Sequence, residues 1–466
     1  MSRRVTITVD GRSIEAEEGR LLLPVLLEEG VNIAYFCYHE ALGPDGNCRM
    51  CMVEIEGKKR PQISCDTLVT EGLVVRTKGE KIEKVRRDIL ELELINHPID
   101  CPVCDQAGEC ALQDYYMEFG RYHGQVDKSE KHHFRKHMDL GANVMHDQER
   151  CVLCQRCVRF CRDIVGTGEL CVAGRADHSY ITTVPGMQLH NDYAMNVVDL
   201  CPVGALTSKD FRFQQRVWFL ESVPGICHGC ATGCNLWIDH AKTKFHDDTI
   251  YRFRPRKNEA VNGHFICDAG RLSYHALQEG RLLEAREGER TLAFTEALEA
   301  LDRRVREAKR LVILADPNLY NEELEALKLL ALELGATLHA PLDHYRDADF
   351  ADAWLRDSMR AANAEGVRRL EIDTTLPETD AATLILNVNH PQAPDLPGRR
   401  VDLLTHEPER PGELILPIAA WSEQSGHLVN RDGLEQFSER AVHREETPPG
   451  LVAWIEAYDL HRKERL

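Results

Sequence analysis

The residues of this chain best equipped for chemistry are its cysteines. There are 17 among 466 residues, and every one lies between Cys37 and Cys267. Four sets of four emerge: Cys37, Cys48, Cys51 and Cys65; His97, Cys101, Cys104 and Cys110; Cys151, Cys154, Cys157 and Cys201; Cys227, Cys230, Cys234 and Cys267. Fifteen thiols and one imidazole fill these places, which leaves Cys161 and Cys171 over. A disulfide framework suits a short secreted chain. The opening MSRRVTITVDG alternates like a strand and lacks the apolar core of a secretory signal, so a soluble, intracellular protein is expected. Thiols two or three residues apart then read as metal ligands, and the chain splits into a metal-rich front and a metal-free back.

The first set is spaced C-x10-C-x2-C-x13-C. Residues 5–11 and 51–57 alternate as strands and 21–29 reads as a short amphipathic helix, the outline of a small β-grasp domain. Plant-type ferredoxins hold a 2Fe-2S cluster with C-x4-C-x2-C and a remote Cys; the first interval here is longer. GNCRMC adds a glycine and a tight turn whose N–H groups can point at sulfur. A zinc site, or one CxxC zinc loop beside two structural thiols, is the alternative. The second set, His97-x3-Cys101-x2-Cys104-x5-Cys110, suits a 4Fe-4S cluster or a zinc site of three thiolates and one imidazole, unless His97 is only a hydrogen-bond donor. Pro98 and Pro102 should stop a helix over 82–95 and turn the ligands inward.

Cys151-x2-Cys154-x2-Cys157 with a remote Cys201-Pro202 has the spacing of a bacterial ferredoxin run closing one 4Fe-4S cube. Cys161 fits a further place in that run, but it would serve a second cube whose own CxxCxxC is missing before Cys201. Cys161 and Cys171 are therefore expected to be buried structural thiols. The fourth set, Cys227-x2-Cys230-x3-Cys234 with Cys267, fits a 4Fe-4S cluster or a zinc ribbon; Gly225, Gly229 and Gly233 allow close backbone approach. Four clusters in sequence along one chain would form a wire, with the protein setting distance, burial and potential.

Composition narrows the partners. A net charge of −19 and a pI near 5.6 argue against nucleic acid. The hydrophobic share of 43% is that of a globular protein, and 466 residues should form several domains. The longest apolar stretches, 311–315 and 414–421, are too short to cross a bilayer. No G-x-G-x-x-G follows a strand, since GTGELC at Gly166 lacks the third glycine, and no catalytic dyad stands out.

At FCYHEALGPDGNCRMCMVEIEG, NHPIDCPVCDQAGECALQD and RCVLCQRCVRFCR the chain resembles the family of the NADH-quinone oxidoreductase G subunit, the 75-kDa subunit of respiratory complex I. The resemblance covers 1–275 well and the remainder weakly, and the His-x3-Cys-x2-Cys-x5-Cys signature is its most specific part. It implies a 2Fe-2S cluster on Cys37, Cys48, Cys51 and Cys65, and 4Fe-4S clusters on His97, Cys101, Cys104 and Cys110 and on Cys151, Cys154, Cys157 and Cys201. Cys227, Cys230, Cys234 and Cys267 match an additional 4Fe-4S cluster of some bacterial members, in a module shared with molybdopterin oxidoreductases. The family takes electrons from a flavin on the NADH-binding subunit and passes them through a ferredoxin-like subunit toward quinone, with the fourth cluster off that route. The resemblance thus implies an oxidoreductase subunit in a peripheral arm on the cytoplasmic side of a bacterial inner membrane, without membrane insertion and without its own NADH, flavin or quinone site. Rival readings are an electron-transfer subunit of an NAD-reducing hydrogenase or formate dehydrogenase, and a zinc-binding assembly scaffold.

The domains expected are a 2Fe-2S β-grasp over 1–80, a 4Fe-4S segment with one His and three Cys ligands over 81–121, a 4Fe-4S ferredoxin-like domain over 140–216, a molybdopterin-type 4Fe-4S domain over 220–276, and a shortened α/β scaffold over 285–466. In the last, 311–315, 383–388 and 401–405 read as strands of a parallel sheet and 322–335 as a helix ended by glycine. Gly426-His-Leu-Val-Asn430-Arg-Asp-Gly433-Leu-Glu-Gln436 weakly echoes a motif of the family. Molybdenum is not expected, because the chain is short for such a site and no Cys follows Cys267. His132, His133 and His137 in KSEKHHFRKH read as a solvated face, since flanking Lys and Arg disfavour a cation. Arg150, Arg156, Arg159 and Arg162 interleave with the third set, either as surface charge or to offset an anionic cluster and raise its potential.

Overall fold

Val5, Ile7 and Val9 point inward along strand Arg4–Val9 while Arg4 and Thr6 face out, the alternation a half-buried strand requires. Asp10 and Gly11, both at positive φ, make a two-residue turn into strand Arg12–Glu17, paired in register from Arg4↔Glu17 to Val9↔Arg12. The computed structural model describes residues 3–121, 123–245, 248–443 and 447–464. Two compact units divide the chain, Met1–Trp218 and Phe219–Leu466.

In the front unit the first hairpin joins a five-stranded mixed sheet, in the order Arg12–Glu17, Arg4–Val9, Val74–Arg76, Met52–Ile55, Gln62–Ile63. Val74–Arg76 runs parallel to Arg4–Val9. Helix Leu22–Glu28 buries Leu22, Leu23, Val25 and Leu26 in the same core. The long connection from this helix to Met52–Ile55 carries Cys37, Cys48 and Cys51, and Cys65 sits in the turn Ser64–Asp66. Helix Glu80–Leu94 follows and ends four residues before Pro98, which cannot continue it. Helix Ala111–Phe119 starts directly after Cys110. A three-stranded sheet of Leu206–Ser208, Val144–His146 and Met138–Asp139 and a hairpin of Leu170–Ala173 with Tyr180–Thr183 frame the third set.

The back unit opens with an antiparallel sheet of Leu220–Ile226, Asn235–Ala241 and Ile250–Pro255. A seven-stranded sheet then runs Arg290–Leu292, Ala285–Glu287, Leu414–Pro417, Arg399–Leu404, Thr383–Val388, Arg310–Ala315, Thr337–His339. The five strands from Leu414–Pro417 to Thr337–His339 are parallel, as the apolar runs predict, but Ala285–Glu287 and Arg290–Leu292 add an antiparallel edge hairpin. Their alternation is too short for sequence reading to register. Helices Phe294–Glu307, Asn321–Leu334 and Leu451–Lys463 pack on this sheet in one core. Gly335, at φ 63, stops the second of them. Trp454 is buried there with its indole N–H on Pro417 O at 2.8 Å.

Candidate metal centres

Cys37, Cys48, Cys51 and Cys65 are all buried. The Cys37 sulfur is within hydrogen-bond reach of Cys48 and Cys65, and Cys65 is within reach of Cys51, so the four converge. The contacts to Cys48 and Cys65 hold the Cys37 thiol far below its usual range, and backbone N–H groups of Cys48 and Gly46, pointing at its sulfur, add to this. This is the role the GNCRMC turn suggested. Gly46 and Arg49 both take positive φ to aim it.

His97, Cys101, Cys104 and Cys110 line one cavity with Leu94, Leu112 and Gly204. Burial pushes His97 down to about 4, although Asp100 pulls the other way, so the imidazole is neutral at pH 7 and competent as a ligand. Asp100 itself is held down to about 2: burial raises it, but Arg150, bonded at 2.8 Å and 3.0 Å, and Lys136 outweigh that. Burial pushes Cys110 up to about 11, against N–H groups of Gln113 and Leu112 from the start of the following helix. Gly204 was missed by sequence reasoning. A Cβ there would stand 2.3 Å from the Cys104 sulfur, so the loop after Cys201 requires glycine to pass this close.

Burial raises Cys151, Cys154, Cys157 and Cys201, and the thiolates of Cys151, Cys154 and Cys201 lie close enough to raise Cys157 further. Leu153 and Gln155 adopt positive φ between the ligands, and Leu153 N–H donates to Cys151 Sγ at 3.4 Å. Arg150, Arg156 and Arg159 are buried, which overturns the surface-charge reading for them; Arg162 is exposed and pairs with adjacent Asp163. Arg156 favours the thiolates of Cys154 and Cys201 and donates to Leu200 O at 3.2 Å. Arg159 donates to the carbonyls of Leu42, Gly43, Pro44 and Cys37, which fastens the first loop to the helix of the third set. Cys161 is buried beside Glu169, as a structural thiol should be, whereas Cys171 is half-buried.

One apolar cluster joins these three sets. It contains Cys37, Cys48, Cys110 and Cys154 with Phe36, Met50 and Leu112, and Cys151 and Cys201 pack against it.

Cys227, Cys230, Cys234 and Cys267 converge in the back unit, all buried; burial, and then the neighbouring thiolates, push Cys227, Cys234 and Cys267 up. Gly270 N–H donates to Cys267 Sγ at 3.3 Å, and a Cβ on Gly270 would lie 3.0 Å from Cys227 Sγ. The weak motif at 426–436 has a definite task here. It forms the hairpin Gly426–Val429 with Glu435–Ser438, from which Gln436 donates to Gly233 O at 2.9 Å and accepts from Asn235 at 2.5 Å. His228, next to Cys227, stacks on Trp421 at 4.3 Å and edges a cavity of about 500 Å³. That cavity opens beyond the carboxyl ends of the parallel strands, among Asp316, Glu323, His390, Arg400 and Asp402.

The donor sets fit iron–sulfur clusters. Each set gathers four donors in one place, thiols that become thiolate ligands when a metal displaces their protons, and His97 is neutral as a ligand must be. The glycines at 204 and 270 remove the side chains that would press on the sulfurs.

Residues 2–80 match a 2Fe-2S iron-sulfur cluster binding domain. Residues 86–125 match the NADH-ubiquinone oxidoreductase-G iron-sulfur binding region, and 141–207 the ferredoxin-like domain of NADH-quinone oxidoreductase subunit 3. The class is therefore a mixed α/β multidomain protein with 2Fe-2S and 4Fe-4S ferredoxin-like domains. Whole relatives make it particular. The chain is 34% identical over 345 residues to the NADH-quinone oxidoreductase G subunit of Rickettsia felis, covering 71% of this chain and 49% of that protein. It is 39% identical over 281 residues to the NADH-ubiquinone oxidoreductase 75 kDa subunit of Reclinomonas americana, covering 60% and 39%. It is 36% identical over 356 residues to the mitochondrial 78 kDa subunit of Neurospora crassa, covering 73% and 47%. The chain belongs to this family of NADH-quinone oxidoreductase G subunits and spans about half, or less, of the length of these relatives. Among solved structures it is similar to a chain of an NAD+-reducing nickel–iron hydrogenase, at 29% identity and a TM-score of 0.38 over 46% of this chain and 91% of that one.

Proposed function

We propose that this chain is the iron–sulfur electron-transfer subunit of an NADH:quinone oxidoreductase, taking electrons from a flavin-bearing, NADH-binding partner and passing them through a ferredoxin-like partner toward quinone. In this reading Cys37, Cys48, Cys51 and Cys65 hold a 2Fe-2S cluster within a β-grasp domain over 1–80. His97, Cys101, Cys104 and Cys110 hold a 4Fe-4S cluster in the segment 81–121, and Cys151, Cys154, Cys157 and Cys201 hold another in 140–216. Cys227, Cys230, Cys234 and Cys267 hold a third in 220–276, off the main route, and 285–466 is a scaffold for partner subunits. The clusters would supply one-electron storage. The chain's residues supply burial, a neutral His97 and the backbone N–H groups and arginines that tune each site.

The observation that carries this reading is the apolar cluster in which three of the four sets meet. A dry, continuous core between donor sets keeps cofactors close and solvent out. Among the described residues no helix is long and apolar enough to cross a membrane, which is consistent with a peripheral place, on the cytoplasmic face of a bacterial membrane, within a larger complex. Electron paramagnetic resonance of the reduced protein at low temperature, with iron and acid-labile sulfide analysis, tests the proposal. One 2Fe-2S and three 4Fe-4S centres are expected; zinc without sulfide would overturn it.

A further inference from the structure

The geometry assigns a second kind of metal site to this chain, a surface site for a borderline divalent cation such as Zn2+, formed by His132, Asp177 and His178. The sequence argues against a cation in KSEKHHFRKH because of its flanking positive charges. Folding takes the apparent tract apart. Lys131 turns its ammonium onto the carbonyls of Leu94, at 3.0 Å, and His97, at 2.6 Å. Lys136 goes to Asp100 and Glu149. His133 pairs with Glu149 at 3.0 Å, and His137 accepts from Arg212 at 2.7 Å. His132 alone is delivered elsewhere: its backbone N–H donates to Asn96 Oδ1 at 3.0 Å, and the nearby Phe134 ring packs against Tyr180, at the base of the hairpin loop that carries Asp177 and His178.

In that loop Gly174 and Ala176 take positive φ, a conformation unfavourable for alanine, and present the next two side chains together. One ligand atom from each of His132, Asp177 and His178 lies within 4.8 Å of the other two. His132 Nε2 is 3.0 Å from Asp177 Oδ2, and His178 Nε2 is 3.9 Å from Asp177 Oδ1. The second distance is beyond a hydrogen bond. Donors on a tetrahedral Zn2+ stand roughly 3.3–3.6 Å apart, given bonds of about 2.0–2.2 Å, so the two observed spacings bracket what an ion needs. The two imidazole centroids are 4.6 Å apart, with the ring planes tilted by 48°. Two imidazoles and one carboxylate select zinc or its transition-metal neighbours over magnesium or calcium, which prefer oxygen. An ion here would tie the hairpin to the strap whose Lys131 holds the His97 carbonyl.

The test is Zn2+ added at one equivalent to the full chain with its clusters in place. Zinc K-edge absorption should show nitrogen and oxygen at about 2.0–2.1 Å with imidazole outer scattering, and no sulfur near about 2.3 Å. Calorimetric titration should show His132→Ala and His178→Ala each weakening binding by at least the roughly 10- to 100-fold cost of losing even an outer partner, while His133→Ala leaves it unchanged. A sulfur-containing shell, or an affinity that neither His132→Ala nor His178→Ala alters, would overturn the assignment.

Discussion

The front unit gathers three donor sets around one apolar cluster, and the back unit holds one set alone. In front, the elements that position a set belong to its neighbours: the Cys201 loop presses Gly204 on Cys104, and an arginine between the thiols of the third set and Cys161 grips the loop of Cys37. In the back, Gly229, Gly233 and Gly270 and a distant hairpin close around a single quartet, beside a polar cavity. Donor sets that lie close together share their walls. Shared walls also spread damage, and independent ones contain it.

A single added methyl group should separate the two units most strongly. Gly204→Ala places a carbon 2.3 Å from Cys104 Sγ, on the loop that also carries Cys201, and should abolish the resonance of the His97 centre and broaden that of its neighbour. Gly270→Ala, with its 3.0 Å approach to Cys227 Sγ, should disturb one resonance and leave the front signals intact. Next, Arg159→Ala leaves buried carbonyls without their donor and should cost about 3–5 kcal/mol, seen as a lower Tm for bleaching of the 2Fe-2S absorbance while the back unit melts as before.

Two carboxyls, one in each unit, should respond to acid in opposite directions. Burial pushes the Glu323 carboxyl up to about 7, against hydrogen bonds from Tyr320 and Gln424. Its unfolded value is about 4.3, so its contribution is complete below that pH and is lost as the pH rises through about 7. Asp100, held down to about 2, contributes above the unfolded value and loses this as pH falls toward 2. Glu323→Gln should flatten the back unit's stability between about pH 4 and 7 by about 3–4 kcal/mol, measured by denaturant unfolding followed through tryptophan fluorescence. An unchanged slope would remove this half of the contrast. The smallest effect belongs to Arg162→Ala, whose exposed pair with Asp163 should leave both Tm and every resonance where they were.

Much of this was legible in the chain. Strand Thr383–Val388 falls on the residues its apolar run indicates, and helix Glu80–Leu94 stops where Pro98 demands. The four quartets could be grouped by spacing because ligands close in sequence share a loop, and the structure brings each group together. Contacts across long separations were not legible. Gly204 reads as an ordinary glycine until Cys104, a hundred residues away, is seen against it. Gln436 meets Gly233 across 203 residues, and no local pattern marks such a partner. The arginines of the third set, which the sequence left open between surface charge and cluster partners, show the same limit: charge in sequence does not reveal which backbone carbonyls await it.

The grip of Arg159 on Cys37 O spans 122 positions. During synthesis the amino-terminal sheet can form as soon as residue 76 has emerged, yet the loop that carries its first thiol lacks its fastening until the ribosome has added more than eighty further residues, a wait of roughly 4–17 s at typical translation rates. The first donor loop therefore reaches its final fastening only after the helix that follows Cys157 has been made.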